Sequence, residues 1–303
     1  MAGTDSVFTL VPRGRLIGLS FGAMQSARRG AGSDILGSRP YVPGDDVRAI
    51  DWATSARVAT ARNTDEFIIR ERHADEAPRV IVICDRRPSM ELYASPLPWL
   101  SKPRALREAA ELVVNSTLAV RGFLGYLDLA ESEPLWRPPR TQRALPELRL
   151  ERPFTAPPDV VHRAFEHLKV HRHALPSGSF VFVLSDFVDG PDEEVWIDAL
   201  ERRWDVVPVV IQDPVWEQSF PDVAGVVVPL SDPRSGRLQP VRLTAAEVAE
   251  RREANEQRLA GLIARLRDFE IEPVIVSSDQ PLEILYSFLE WSDWRKAARR
   301  RTW

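Results

Sequence analysis

Cysteine is almost absent from this chain of 303 residues, which carries one, Cys84. A single thiol excludes an internal disulfide, and with it the cystine-stapled scaffolds of small secreted proteins. Lysine is nearly as scarce, at Lys102, Lys169 and Lys296 only, so the 40 basic residues are overwhelmingly arginine. That skew suits planar recognition of carboxylates or phosphates, but genome-wide codon bias explains it equally well. No run of about 18 apolar residues exists, so a helical membrane span is excluded. The opening MAGTDSVFTLVPRGRLIGLSFG lacks the basic start, apolar centre and small-residue cleavage site of a secretory signal, and the expected location is the cytoplasm. The net charge of −4 and pI near 5.9 lack the cationic surface that nucleic-acid binding draws on. Also missing are a phosphate loop ending in Gly-Lys-Ser/Thr, a Gly-x-Ser-x-Gly elbow and a Cys/His pairing around Cys84. Enzymatic nucleophile chemistry has no visible home, and the chain reads as a non-enzyme.

What is present alternates between two periods. VIVIC (80–84), GFLGYLDLA (122–130), SFVFVLSDF (179–187), DVVPVVIQD (205–213) and EPVIVSS (272–278) are short β-branched and apolar runs, as strands covered on both faces require. Between them lie helical stretches. One, over 103–118, places Leu106, Ala109, Ala110, Val113 and Thr117 on one stripe; others run from His162 to His173 and after Gly190-Pro191. Thr244 and Glu247 form a capping box opening the longest helix, whose apolar face carries Leu259, Leu262, Ile263, Leu266 and Phe269. Pro138, Pro139 and Arg140 read as a connection, Asp232, Pro233 and Gly236 as the turn of a small hairpin, and a short helix follows the last strand. The pattern predicts an α/β fold: a mostly parallel, Rossmann-like sheet with helices on both faces. Residues 1–78, richer in Gly, Arg and turns, form a small N-terminal module; 79–290 form the main domain; 291–303, with Trp291, Trp294 and a basic cluster, form a tail.

The N-terminal module carries the most specific feature, GSRPYVPGDDVRAIDWATSAR (37–57). By residue chemistry, Pro43-Gly44-Asp45-Asp46 is a turn whose carboxylates can cap a following helix. Arg39, Arg48 and Arg57 can pair with Asp45, Asp46 and Asp51, and Trp52 would anchor the segment on the sheet. The alternative is that this charged, aromatic stretch, with Asp45, Asp46, Arg48, Asp51, Trp52 and Arg57, is a partner-binding patch. Its spacings, with Arg70 and Glu71 downstream, resemble the bacterial family known as domain of unknown function fifty-eight, whose members are similar to von Willebrand factor A domains. Proteins of this kind are commonly encoded beside AAA+ ATPases of the MoxR type, so the resemblance implies such an ATPase as partner.

The same resemblance bears on metal. Von Willebrand factor A domains that bind Mg²⁺ at a metal-ion-dependent adhesion site (MIDAS) use an Asp-x-Ser-x-Ser loop, a threonine from a second loop and a distal aspartate. Oxygen donors at strand ends suit such a hard cation. Here Asp85, Ser89 and Asp186 match, but Arg87 occupies the first serine's place, and Thr141 is a weak candidate for the threonine. Two unit charges about 4 Å apart at an effective dielectric of ~20 interact with about 4 kcal/mol, so a guanidinium there repels the metal. The expectation is a degenerate site without cofactor, in which Arg87 or Arg86 is the internal cation; Mg²⁺ binding requires Arg87 to swing away. His162, His167, His171 and His173 lack a metal motif and read as solvated helix residues. The expected function is a protein-interaction module. A metal-dependent hydrolase using Asp85 and Asp186, and a structural subunit of a larger assembly, are the alternatives.

Overall fold

The computed structural model describes residues 6–13, 35–41, 50–62, 67–72, 77–91, 99–130, 134–140, 152–231 and 237–301. The chain divides into two compact units, Gly14–Pro78 and Met1–Arg13 with Arg79–Trp303. In the smaller, strand β1 (Ile35–Pro40) pairs antiparallel with β2 (Ile68–Arg72), and helix α1 (Trp52–Arg62) lies between them in sequence. Asp51 opens α1 as an N-cap: its carboxylate accepts from Thr54 N–H at 3.1 Å and from the Thr54 hydroxyl at 2.8 Å. Ser55 then ties the helix to the strand, donating to the Asp51 carbonyl and accepting from Ile68 N–H, both at 2.8 Å.

The larger unit runs β3 (Arg79–Cys84), α2 (Lys102–Ala119), β4 (Phe123–Asp128), β5 (Leu135–Arg140), α3 (Val160–Val170), β6 (Phe180–Ser185), α4 (Glu193–Glu201), β7 (Asp205–Ile211), β8 (Val227–Ser231), β9 (Leu238–Arg242), α5 (Ala245–Asp268), β10 (Val274–Val276) and α6 (Pro281–Arg301). Six strands form one sheet in the order β10-β7-β6-β3-β4-β5, parallel except for β5. The α/β expectation with a mostly parallel sheet therefore holds. Alternate strand residues face opposite layers. Ile81, Ile83, Val181, Val183, Val206 and Val210 pack with Phe165 and Leu168 of α3, Trp196 of α4 and Leu262 and Leu266 of α5. On the other side Phe182 meets Phe288 and Trp291 of α6 and Phe8 of the N-terminal segment. Each such fully buried side chain contributes roughly 1.5–3 kcal/mol. β8 and β9 form the expected hairpin; its turn residues Asp232, Pro233 and Gly236 lie outside the described residues.

Three expectations are corrected. Pro138 and Pro139 belong to a strand: β5 is the antiparallel edge of the sheet, where a residue without N–H is tolerated. Gly125 permits the close approach, since a Cβ there would lie 2.8 Å from the Arg137 carbonyl and 2.5 Å from Ile81. The last helix is long, 21 residues, and residues 291–301 are its continuation and no loose tail. Trp291 and Arg295 are buried, Arg295 bonding both Asp205 and the Val11 carbonyl. Residues 6–13 pack with this unit, not with the N-terminal module: Phe8, Leu10 and Val11 are buried, Phe8 N–H donates to Ser116, and Thr9 accepts from Ser292. The smaller unit thus begins at Gly14 instead of at residue 1.

Candidate functional site

From β3 the chain passes through α2 to β4 on one side, and later returns to β6 on the other. The strand order reverses there, and in open α/β sheets the crevice at such a switch point, beyond the carboxyl ends of the strands, is where ligands are held. Asp85 follows β3 and Asp186 follows β6, so both carboxylates fall in that crevice, 1% and 0% exposed. The turn after β6 is tight: Phe187 takes a left-handed backbone (φ 49°), its N–H bonding the Ser185 hydroxyl, and Val188 N–H donates to Asp186 Oδ1.

Arg87 lies between the two carboxylates. Its Nε donates to Asp85 Oδ2 at 2.8 Å, and its Nη2 stands 2.7 Å from that oxygen and 3.2 Å from Asp186 Oδ1. Nη1 donates to the Asp189 carbonyl at 2.9 Å, and the Arg87 N–H closes onto Asp85 Oδ1 at 2.8 Å. The Ser185 hydroxyl adds a 2.7 Å bond to Asp85. A second cation completes the site. Lys102, 1% exposed, places Nζ 3.3 Å from Asp186 Oδ2 and 2.5 Å from Glu217 Oε1.

The two aspartates titrate in opposite directions. Burial pushes Asp85 up from the usual carboxylate value, and Arg87 only partly opposes it. Burial acts on Asp186 too, but there Lys102 and Arg87 together overrule it and hold the carboxyl below its usual range. Glu217, buried and facing Lys102, is raised by burial. Ser89, in the 3-10 turn Pro88–Glu91, is buried beside Asp186, and its hydroxyl helps to hold that carboxyl ionised.

The three expected metal positions Asp85, Ser89 and Asp186 are thus brought together, with Arg87 among them. Thr141 lies outside the described residues. The loop ahead of α3 reaches the crevice elsewhere: Ala156 N–H donates to the Arg86 carbonyl at 2.9 Å, while the neighbouring Thr155 hydroxyl is taken by the Ala130 carbonyl. The residues do not fit a divalent cation as arranged, because Asp85 and Asp186 already share a guanidinium. Among the described residues no group of three or more His, Cys, Asp or Glu side chains is placed to hold a metal.

The family model described as Protein of unknown function DUF58 matches residues 37–260. The chain belongs to this family. No curated protein matches it. The crevice of this DUF58 member and its 37–57 motif both fall within the matched residues, although Asp45, Asp46 and Arg48 lie outside the described ones.

Of the motif residues that are described, Trp52 stands largely in solvent, whereas the expected anchor of the segment would be covered. It is 61% exposed, one ring edge-on to the half-exposed Phe67 at 5.7 Å, and Arg57 is exposed as well. Conversely, Asp85 and Asp186 are too deeply buried to touch a partner themselves. Sequence reasoning missed Lys102, Glu217 and Asp213. A signal existed for Lys102: one of three lysines in the chain stands in the first turn of a helix, where the helix dipole disfavours a cation. Asp213, like Asp85 and Asp186, stands at the carboxyl end of an apolar strand run, separated from β7 by Gln212.

Proposed function

We propose that this DUF58 protein is a non-catalytic adaptor that works with a MoxR-type AAA+ ATPase, and that its crevice is a von Willebrand factor A-like metal site in which an arginine has replaced the ion. The observation that carries the reading is the Arg87 guanidinium bonded to both Asp85 and Asp186. A carboxylate already paired with a buried cation is a poor metal ligand and a poor base, so the crevice holds the strand-end loops in shape and performs no bond chemistry. The exposed Trp52–Phe67 pair supports a contact role for the motif, because aromatic side chains dominate binding hot spots. A metal-dependent hydrolase would need Asp85 and Asp186 released from Arg87.

The test is capture of the purified ATPase by the immobilised chain, with Mg²⁺ and with EDTA. Equal capture in both buffers, reduced at least about tenfold by Trp52→Ala with Phe67→Ala, is the expected result. Capture lost on chelation and restored by Mg²⁺, or no capture at all, would overturn the proposal.

A further inference from the structure

Trp99 is 73% exposed, yet its backbone N–H is bonded to a buried carboxylate. Its N–H and that of Leu100 both donate to Asp213 Oδ2, at 2.8 and 2.9 Å, and Asp213 Oδ1 accepts from Val215 and Trp216 N–H at 2.8 and 3.0 Å. Asp213 is 1% exposed and fixed by these four amides; Leu100 is 2% exposed. Three residues on, Lys102 is locked between Asp186 and Glu217. An indole kept in water beside the fixed Leu100, Asp213 and Lys102 is an arrangement that folding does not require. It leaves little ordering to be lost on binding, the property that turns an exposed aromatic side chain into an anchor.

The same end of the sheet sets the charge of what could dock. Glu91 ends the 3-10 turn beyond β3, Asp189 follows β6 with its carbonyl on Arg87, Asp192 is the N-cap of α4, and Glu193 and Glu194 stand in its first turn; all five are exposed. Arg104 on α2 stands 4.0 Å from Asp279 and is paired there. The crevice cations, Arg87 and Lys102, are buried and engaged. Among the described residues, exposed acids and an exposed π-face thus share the carboxyl end of the sheet, a combination that attracts a guanidinium or ammonium group.

We infer that Trp99 is the anchor of a docking surface at the carboxyl end of the sheet, and that this surface takes an arginine- or lysine-bearing segment of a partner protein. The inference rests on the adaptor reading and names the chemistry of the partner. It assigns the buried crevice a supporting part: Asp213 and Lys102 fix the backbone that presents the indole.

The test uses the full chain with ¹⁵N-labelled tryptophan and a probe peptide, acetyl-Gly-Arg-Gly-Ser-Arg-Gly-amide, beside its citrulline counterpart. The Trp99 indole signal, assigned by its loss in Trp99→Phe, moves with the arginine peptide. The citrulline peptide, or Asp189→Lys with Glu193→Lys, weakens the response at least about tenfold, and so does raised salt. An unmoved Trp99 signal, or equal response to both peptides, overturns the inference. Trp99→Ala, which removes an exposed side chain and leaves melting unchanged, reduces ATPase capture at least about tenfold. Capture of wild type and Trp99→Ala alike sinks the Trp99 surface and leaves the adaptor standing. Absent capture of wild type sinks the adaptor, and the peptide titration then decides Trp99 by itself.

Discussion

Two consecutive arginines leave β3 in opposite directions, and the two clusters they enter are built differently. Arg87 turns to the switch-point crevice and shares itself between two carboxylates, Asp85 and Asp186, with Lys102 on the far side. Arg86, wholly buried, turns towards β4, where its Nη2 donates to the Tyr126 hydroxyl at 3.3 Å and its Nε stands 3.7 Å from Asp128. There the ratio is inverted, since one carboxylate, Asp128, also receives Arg152 at 2.6 Å and the Tyr126 hydroxyl at 2.7 Å. Phe154 covers the Arg86 guanidinium at 5.1 Å. The first cluster has carboxylates in excess and depends on each cation; the second has cations in excess and tolerates a loss. A buried pair broken on one side is far costlier than one never formed, so the excess decides what a mutation does.

The largest effect is expected at Lys102. Lys102→Met leaves Asp186 and Glu217 without their shared partner and should lower unfolding free energy by about 3–5 kcal/mol in urea titrations. Its pH dependence has a definite sign. In wild type, Asp186 has a folded pKa below its ordinary value of 3.8, so its contribution is present above that value and lost as pH falls through the folded one. Without Lys102 both carboxyls titrate above their unfolded values, and stability is lost as pH rises through that window. The variant should sit closest to wild type near pH 5 and furthest from it near pH 8; a pH-independent difference would contradict the pairing.

Arg87→Met is next, at about 2–3 kcal/mol, because Lys102 still faces Asp186 while Asp85 keeps only Ser185 and backbone donors. Arg86→Met should cost about 1–2 kcal/mol, with Asp128 still paired to Arg152. A larger loss for Arg86→Met than for Arg87→Met would invert the comparison. The smallest effect is at Cys84, whose thiol burial pushes up to about 11. It should resist thiol reagents at pH 8 in the native state and label only at the rate of unfolding.

Much of this architecture was legible in the chain because buried parallel strands must be apolar throughout and their ends must not be. The runs ending at Cys84, Ser185 and Ile211, the α2 stripe and the Thr244 capping box all lie where periodicity places them. β5 escaped because Pro138 and Pro139 argue against a strand everywhere except at an edge, and edge position is a property of the finished sheet. The burial of Trp291 and Arg295 escaped because it depends on residues 6–13, nearly 300 positions away. Trp52 was misplaced because an aromatic residue in a motif looks the same whether it anchors or presents. At the crevice, Asp85 and Asp186 were found by strand-end position, Ser89 by the ligand pattern that the family resemblance implies, and Arg87 by its departure from that pattern. Lys102 and Glu217 come from α2 and the segment after β7, and only the topology brings them to Asp186.

On the proposed reading the protein supplies its own cation to the switch-point crevice. Calorimetric titration of Mg²⁺ into metal-stripped wild type and Arg87→Ser tests it most directly. A silent wild type is expected, with binding by the variant, in which a hydroxyl replaces the guanidinium beside Asp85, Ser89 and Asp186; wild type binding Mg²⁺ as tightly as Arg87→Ser would show that Arg87 does not take the ion's place.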